Sequence, residues 1–290
     1  MGALLARVET RHQPDGVTLI CVSRRDVPLI GTSVVCAGGR LCDPPARPGL
    51  ANLTAALWAE GPQSRRPLEW HRALDQDAIA LGMRAETAHW EVGALSLTEQ
   101  AGTALARLTE CLAHPGWHAC QWRRLVRAHR ASAREQWAQP GAVLDALSAV
   151  QCLGYSHPGA HPPSERSYAR AGYAEAVALG ASALRRGPGT YAMAGGDISA
   201  DEAWARLSDL LGALPEADGG PPPEPRLRQA GARVWLMDHP ELDQAFFALS
   251  RPGARGGEAD RVALRLADYA LGGGGFSSRL MERARNEMGH

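Results

Sequence analysis

Pro215 to Pro225 reads PEADGGPPPEP, five prolines and two glycines with almost no side chain to bury, and it constrains the chain more than any other stretch. Such a segment cannot enter a core and predicts an extended, semi-rigid linker over 215–226. It separates residues 1–214 from residues 227–290. The two sides open alike. Gly16–Val22 and Val27–Cys36 are rich in β-branched and apolar residues and read as two strands across the charged turn Ser23–Asp26. Gly38-Gly39 and Pro44-Pro45 break the pattern, and a helix follows from Leu50 to about Ala59 with Leu50, Leu53 and Leu57 on one face. Beyond the linker, Arg233–Met237, a charged turn through Asp243, Gln244–Ser250, a Pro-Gly break and a helix from about Glu258 to Leu271 repeat that order. A tandem duplication is expected, with the second copy incomplete.

Between these openings, Ala101, Ala104, Leu105, Leu108, Cys111 and Leu112 trace the stripe of an amphipathic helix ending before His114-Pro115. Tyr191–Gly195 reads as a short strand. Ser199-Ala-Asp-Glu202 predicts a reciprocal capping box opening a helix that buries Trp204, Leu207, Leu210 and Leu211. The fold class expected is α+β: tandem homologous domains, each packing helices on a mainly antiparallel sheet.

Composition removes several chemistries. Every one of the 31 cations is an arginine, so there is no Schiff-base amine, no phosphate-loop lysine and no anchor for pyridoxal phosphate. Thirty-one acidic residues balance them, leaving no basic field to collect nucleic acid or anionic lipid. No apolar run approaches the ~20 residues of a spanning helix, and the N-terminus lacks the apolar stretch of a secretory signal. The six cysteines form no C-x-x-C pair. A cytoplasmic protein with free thiols is expected.

Several motifs then converge. Cys36-Ala-Gly-Gly-Arg40 precedes Gly49-Leu-Ala51; Ala194-Gly-Gly-Asp-Ile198 precedes a helix; Asp243-Gln244 falls in the second hairpin. Most specific is Leu271-Gly-Gly-Gly-Gly-Phe-Ser-Ser-Arg-Leu280 followed by Arg285-Asn-Glu-Met-Gly289. Together they resemble the pitrilysin or insulinase-like (M16) metallopeptidase family, which includes the mitochondrial processing peptidase and bacterial heterodimeric zinc peptidases. In that family the helix after Gly-Leu-Ala carries an H-x-x-E-H motif: two histidines one turn apart bind zinc and the glutamate activates its water. The matching positions here are Asn52, Ala55 and Ala56, and the family's glutamate ligand falls on Ser132. Alanine has no lone pair, and the other two are weak neutral ligands.

The resemblance thus implies a non-catalytic subunit that encloses a peptide for a partner subunit carrying an intact H-x-x-E-H, with zinc in the partner and no cofactor or catalytic residue in this chain. It also implies a peptide-binding role for Gly272, Gly273, Gly274, Gly275, Phe276, Ser277 and Arg279, set against a plain helix-capping turn. Two other classes remain open. One is a purely structural assembly protein of the same fold. The other is an enzyme with an unrecognised metal site, for which His114, His118 and Cys120, or His157 and His161, are the available donors, though both groups have loop spacing. No G-x-S-x-G elbow or Cys-His nucleophile pair supports independent hydrolysis. Trp58, Trp70 and Trp90 are expected to fill the core.

Overall fold

The computed structural model describes residues 7–155, 157–217, 234–238, 240, 242–254 and 258–289. The strand-rich opening forms β1 (Arg7–His12), β2 (Thr18–Ser23) and β3 (Leu29–Ala37). Helix α1 (Leu50–Trp58) and α2 (Pro67–Gln76) lead to a second hairpin, β4 (Ala80–Ala85) and β5 (His89–Leu97). Five helices follow: α3 (Ala101–Ala113), α4 (Ala119–Trp137), α5 (Pro140–Leu153), α6 (Glu165–Arg170) and α7 (Tyr173–Ala183). The last strand, β6 (Tyr191–Gly196), and α8 (Ala200–Gly212) complete this body. The expected elements at 16–36, 50–59, 101–112 and 191–211 are all present.

The sheet runs β1-β2-β6-β3-β5-β4. Every neighbouring pair is antiparallel except β2 with β6, which are parallel because the whole helical region lies between them in the chain. Alternation sets the two faces. Ile30, Thr32, Val34 and Cys36 of β3 and Trp90, Val92, Ala94 and Ser96 of β5 are buried under α3 and α8. Trp58 and Trp70 join Trp90 in that core. The opposite face presents Gly31, Ser33, Gly82, Gly93 and Leu95 around a concave space of about 570 Å³.

Two details set the position of α1. After β3, Gly39 adopts φ 60°, and a side chain there would run into the backbone of Glu86 and His89. Only glycine lets this strap lie against the β4–β5 turn, where Arg40 N donates to Glu86 O at 2.8 Å. The strap delivers Asp43, whose carboxylate accepts from Gly49 N (2.6 Å) and Ala51 N (2.7 Å), two of the orphan donors at the start of α1. On its far side α1 is held by Thr54, which is fully buried and donates to Leu50 O and shares its hydroxyl with Ala176 O of α7 at 3.1 Å.

Two expectations need correction. Ser199 Oγ does accept from Glu202 N at 3.3 Å, but the return bond of the box is missing, because Glu202 Oε1 is held by Arg206 one turn on at 2.6 Å. The paired strands expected at 233–237 and 244–250 are not formed: residues 234–238 and 244–250 join no ladder among the described residues. Trp235 instead donates to Gln151 of α5 (2.7 Å) and Ser250 pairs with Ser148 (2.8 Å). Apolar, β-branched content favours a strand only where another strand supplies the hydrogen bonds. The linker over 215–226 lies outside the described residues from 218 onward. Helix α9 (Arg261–Asp268) appears where the second copy predicts one and runs on as a π-helical turn, Tyr269–Gly273.

Two outcomes follow from this packing. Burial pushes the Asp43 carboxyl up to about 6 against its two backbone donors. The folded value exceeds the unfolded one, so the folded state holds the proton more tightly and ionisation costs stability as pH rises through that window. Asp43→Asn keeps an acceptor for the cap but does not titrate. In urea unfolding at pH 4.5 and 7.5, the parent is expected to lose about 2 kcal/mol relative to Asp43→Asn over that interval; parallel curves would refute the assignment. At Gly180 of α7, a Cβ would sit inside the Trp117 ring. Gly180→Ala is therefore expected to lower stability by about 1–3 kcal/mol despite alanine's better helix propensity, read from the same denaturant curves.

Candidate functional site

Helix α1 is buried on nearly every side: Leu50, Ala51, Leu53, Thr54, Ala55, Leu57 and Trp58 all lie inside. Ala55 points into the main core, in the same cluster as Met83 of β4 and Trp90 of β5. Asn52 and Ala56 turn toward α4 and α6 instead. Ala56 packs with Leu53, Leu57, Leu125, Ala133 and Tyr168 in a second apolar cluster. Asn52 Nδ2 donates to the Tyr168 hydroxyl at 3.0 Å. Tyr168 is 5% exposed, and its phenol is pushed up by burial, with the Asp43 charge adding to the effect. The His129 ring stands edge-on to Tyr168, centroids 5.2 Å apart, with Nδ1 at 3.0 Å from Leu125 O.

These residues do not fit zinc. Asn52 spends its amide on a phenol, Ala55 and Ala56 offer no donor atom, and the nearest imidazole is tied to its own helix backbone. Ser132 is exposed on α4, one residue off the buried stripe of Leu125, His129 and Ala133. The 76-residue spacing of the family's third ligand therefore lands on the solvent side of α4, and the position that reaches the α1 cluster is His129. Sequence reasoning missed His129, Tyr168 and Asp43. The i, i+4, i+8 run of Leu125, His129 and Ala133 was the one available signal for α4's inner face. Three of the other proposed donors are engaged with backbone: His118 Nε2 lies 3.2 Å from Pro62 O, His157 Nδ1 accepts from Gly159 N, and His161 Nε2 is 2.5 Å from Tyr155 O. Among the described residues no three histidine, cysteine or acidic side chains gather as a metal set.

Beside α1 lies a sheet edge. Strand β4 pairs with β5 on one side and has no ladder on the other among the described residues, while α1 packs against it. Across the open face Gly82, Gly93 and Ser33 stand in register on β4, β5 and β3, and Arg84 stands opposite Glu91. The rim is smooth and its backbone groups are free to pair.

The glycine run is built as a helix end. Gly274 N donates to Tyr269 O (2.7 Å), Gly275 turns at φ 59°, and Ser278 Oγ caps the short α10 (Arg279–Met281) by accepting from Met281 N. Phe276 is exposed and stacks under the Arg285 guanidinium, 4.9 Å from its centroid. Arg279 opens α10 at the surface. Among the described residues no hydrogen bond or ion pair joins Gly272–Arg279 to Asn52, Ala55, Ala56 or Ser132. No helix of the described residues is long and apolar enough to cross a membrane.

Residues 187–290 match the family model for the peptidase M16 inactive domain. A solved structure of a peptidase M16 inactive domain from Pseudomonas fluorescens shares the fold with TM-score 0.78 and 23% identity, over 97% of this chain and 68% of that one. A protease from Helicobacter pylori does so with TM-score 0.74 and 13% identity, over 98% and 70%. No curated protein sequence matches the chain. The C-terminal third of the chain is thus similar to the peptidase M16 inactive domain, and the whole chain shares its fold with these two solved structures.

Proposed function

We propose that this chain is a non-catalytic subunit of an M16-type zinc peptidase, holding an extended peptide for a separate subunit that carries an intact H-x-x-E-H and the zinc. One observation supports the reading: the helix that the resemblance matches to the family's metal motif is capped and packed against the β4 edge, and the positions matched to the ligands hold Asn52, Ala55 and Ala56. On this reading α1 carries no metal chemistry and the adjoining edge serves binding. A peptide added antiparallel to β4 gains main-chain hydrogen bonds regardless of its sequence, and preference then comes from side chains meeting the small-residue floor at Gly82 and Gly93. Within the same reading, Gly272 to Gly275 offer backbone without side chains, and Phe276, Ser277 and Arg279 stand at the surface beside them to meet peptide or partner.

The test is reconstitution with an M16-type chain that has the complete motif, measuring cleavage of an unfolded peptide with and without this protein. Cleavage is expected to rise on addition of the chain. It should fall by about tenfold when alternate peptide nitrogens of the substrate are methylated, since each methyl removes one strand-addition donor. Unchanged partner activity would leave a purely structural assembly role, and turnover or stoichiometric zinc binding by this chain alone would end the proposal.

A further inference from the structure

Helix α4 carries arginines at 123, 127, 130 and 134, and steps of four, three and four residues keep them on one face. The C-terminal pair closes on a carboxylate. Arg130 Nη2 reaches Glu165 Oε1 at 2.8 Å, and Arg134 reaches Oε1 at 2.6 Å through Nη2 and Oε2 at 3.2 Å through Nε. Held first by Arg134 and then by Arg130, the Glu165 carboxyl drops to about 2. Two turns earlier Arg123 and Arg127 repeat the same i, i+4 spacing, but no ion pair or hydrogen bond occupies either guanidinium among the described residues. Both are exposed. They border a cleft of about 520 Å³ whose other walls are Trp122, Val126, Ala169 and Ala171. The surroundings are strongly cationic: α4 and α6 together hold seven arginines against Glu135 and Glu165, in a chain whose formal net charge is zero.

We infer that the cleft between Arg123 and Arg127 is a docking site for an acidic segment of a partner protein, which seats one carboxylate in the guanidinium pair and an apolar side chain on Trp122, Val126 and Ala169. The molecule contains its own precedent for the charged half, since Glu165 fills the equivalent position between Arg130 and Arg134. Planar guanidinium forks match a carboxylate in two-point geometry, and the paired site is stronger than a single exposed ion pair. Charge count favours peptide over nucleic acid, since two unengaged cations in the cleft are few for a ligand that binds by neutralising a row of phosphates. This face is formed by α4 and α6 and is separate from the β4 edge, so it stands whether or not the peptide-holding role is correct.

The experiment uses the whole chain with a fluorescein-labelled peptide of alternating glutamate and leucine, read by fluorescence anisotropy at low and moderate salt. Arg123→Gln/Arg127→Gln is expected to weaken binding by about tenfold or more and to flatten its salt dependence. Arg7→Gln, a solvated arginine on β1, should leave binding unchanged. Both cleft arginines are exposed, so the double variant should keep the parent's circular dichroism and unfolding midpoint. Equal binding by parent and double variant would overturn the inference. So would equal binding of a glutamine-for-glutamate peptide, absence of binding to the parent, or tighter binding of a single-stranded oligonucleotide of the same charge.

Discussion

Everything near the candidate site depends on how the N-terminus of α1 is satisfied while buried. A helix enclosed on this many sides cannot leave its first amide groups to water, and the Asp43 carboxylate takes two of them from a strap anchored at Gly39. The arrangement works against solvation: burial raises the carboxyl even as two donors and the helix dipole favour its charge. Paying that cost fixes α1 against β4, α7 and α4 at once. Loss of zinc ligands from such a helix does not loosen it, because Ala55 and Ala56 are the kind of small apolar residues that dense packing accepts.

Packing also explains what stands between α1, α4 and α6. Where a metal would draw histidines and a carboxylate together, Asn52, Tyr168 and His129 meet through one hydrogen bond and one edge-on ring contact. Each has a hydrogen-bond partner, so none of the three leaves a polar group orphaned at this seam. Three donors of that kind hold neither a zinc ion nor an activated water. The site has become a polar seam between α1, α4 and α6.

Much of this was legible in the sequence, and the reasons differ by element. Strands β2, β3 and β6 and helices α1, α3 and α8 declared themselves because their apolar residues recur at period 2 or 3.6 and their ends are marked by glycine, proline or Ser199, whereas β1 and the β4–β5 hairpin were not read. The start of α1 was legible at Gly49-Leu-Ala51, and Gly49 is bound to that place by a left-handed φ of 93° and by the Tyr168 ring and Pro163, which a Cβ would meet. The far side of the site was not legible. Helix α4 is so rich in arginine that its inner stripe has only Leu125 and Ala133 as fully buried members, and counting residues along the chain put the third ligand on exposed Ser132. Sequence separation measures contour length, whereas facing depends on angle around the helix, and a one-residue error rotates a side chain by about 100°. The capping box at Ser199 failed for a similar reason: Glu202 had a closer competitor in Arg206, four residues away and out of view of the motif. The strands of the second copy failed because a strand is defined by its neighbour.

Arginine without lysine gives the surface a particular character. With 31 guanidinium groups and as many carboxylates, the chain can form many forked pairs, and it does so at Arg24 with Asp26 and at Arg134 with Glu165. Other arginines, Arg166 with Arg170 and Arg261 with Arg265 among them, also lack a side-chain partner among the described residues; the place of Arg123 and Arg127 beside an indole and two alanines is what separates them. A neutral chain cannot attract partners through its overall field, so any electrostatic recognition must be local, close in and geometric. The α4–α6 face meets that condition through paired forks, and the β4 edge meets the corresponding condition for an uncharged backbone. The two surfaces therefore suit different ligands, carboxylates on one and main chain on the other.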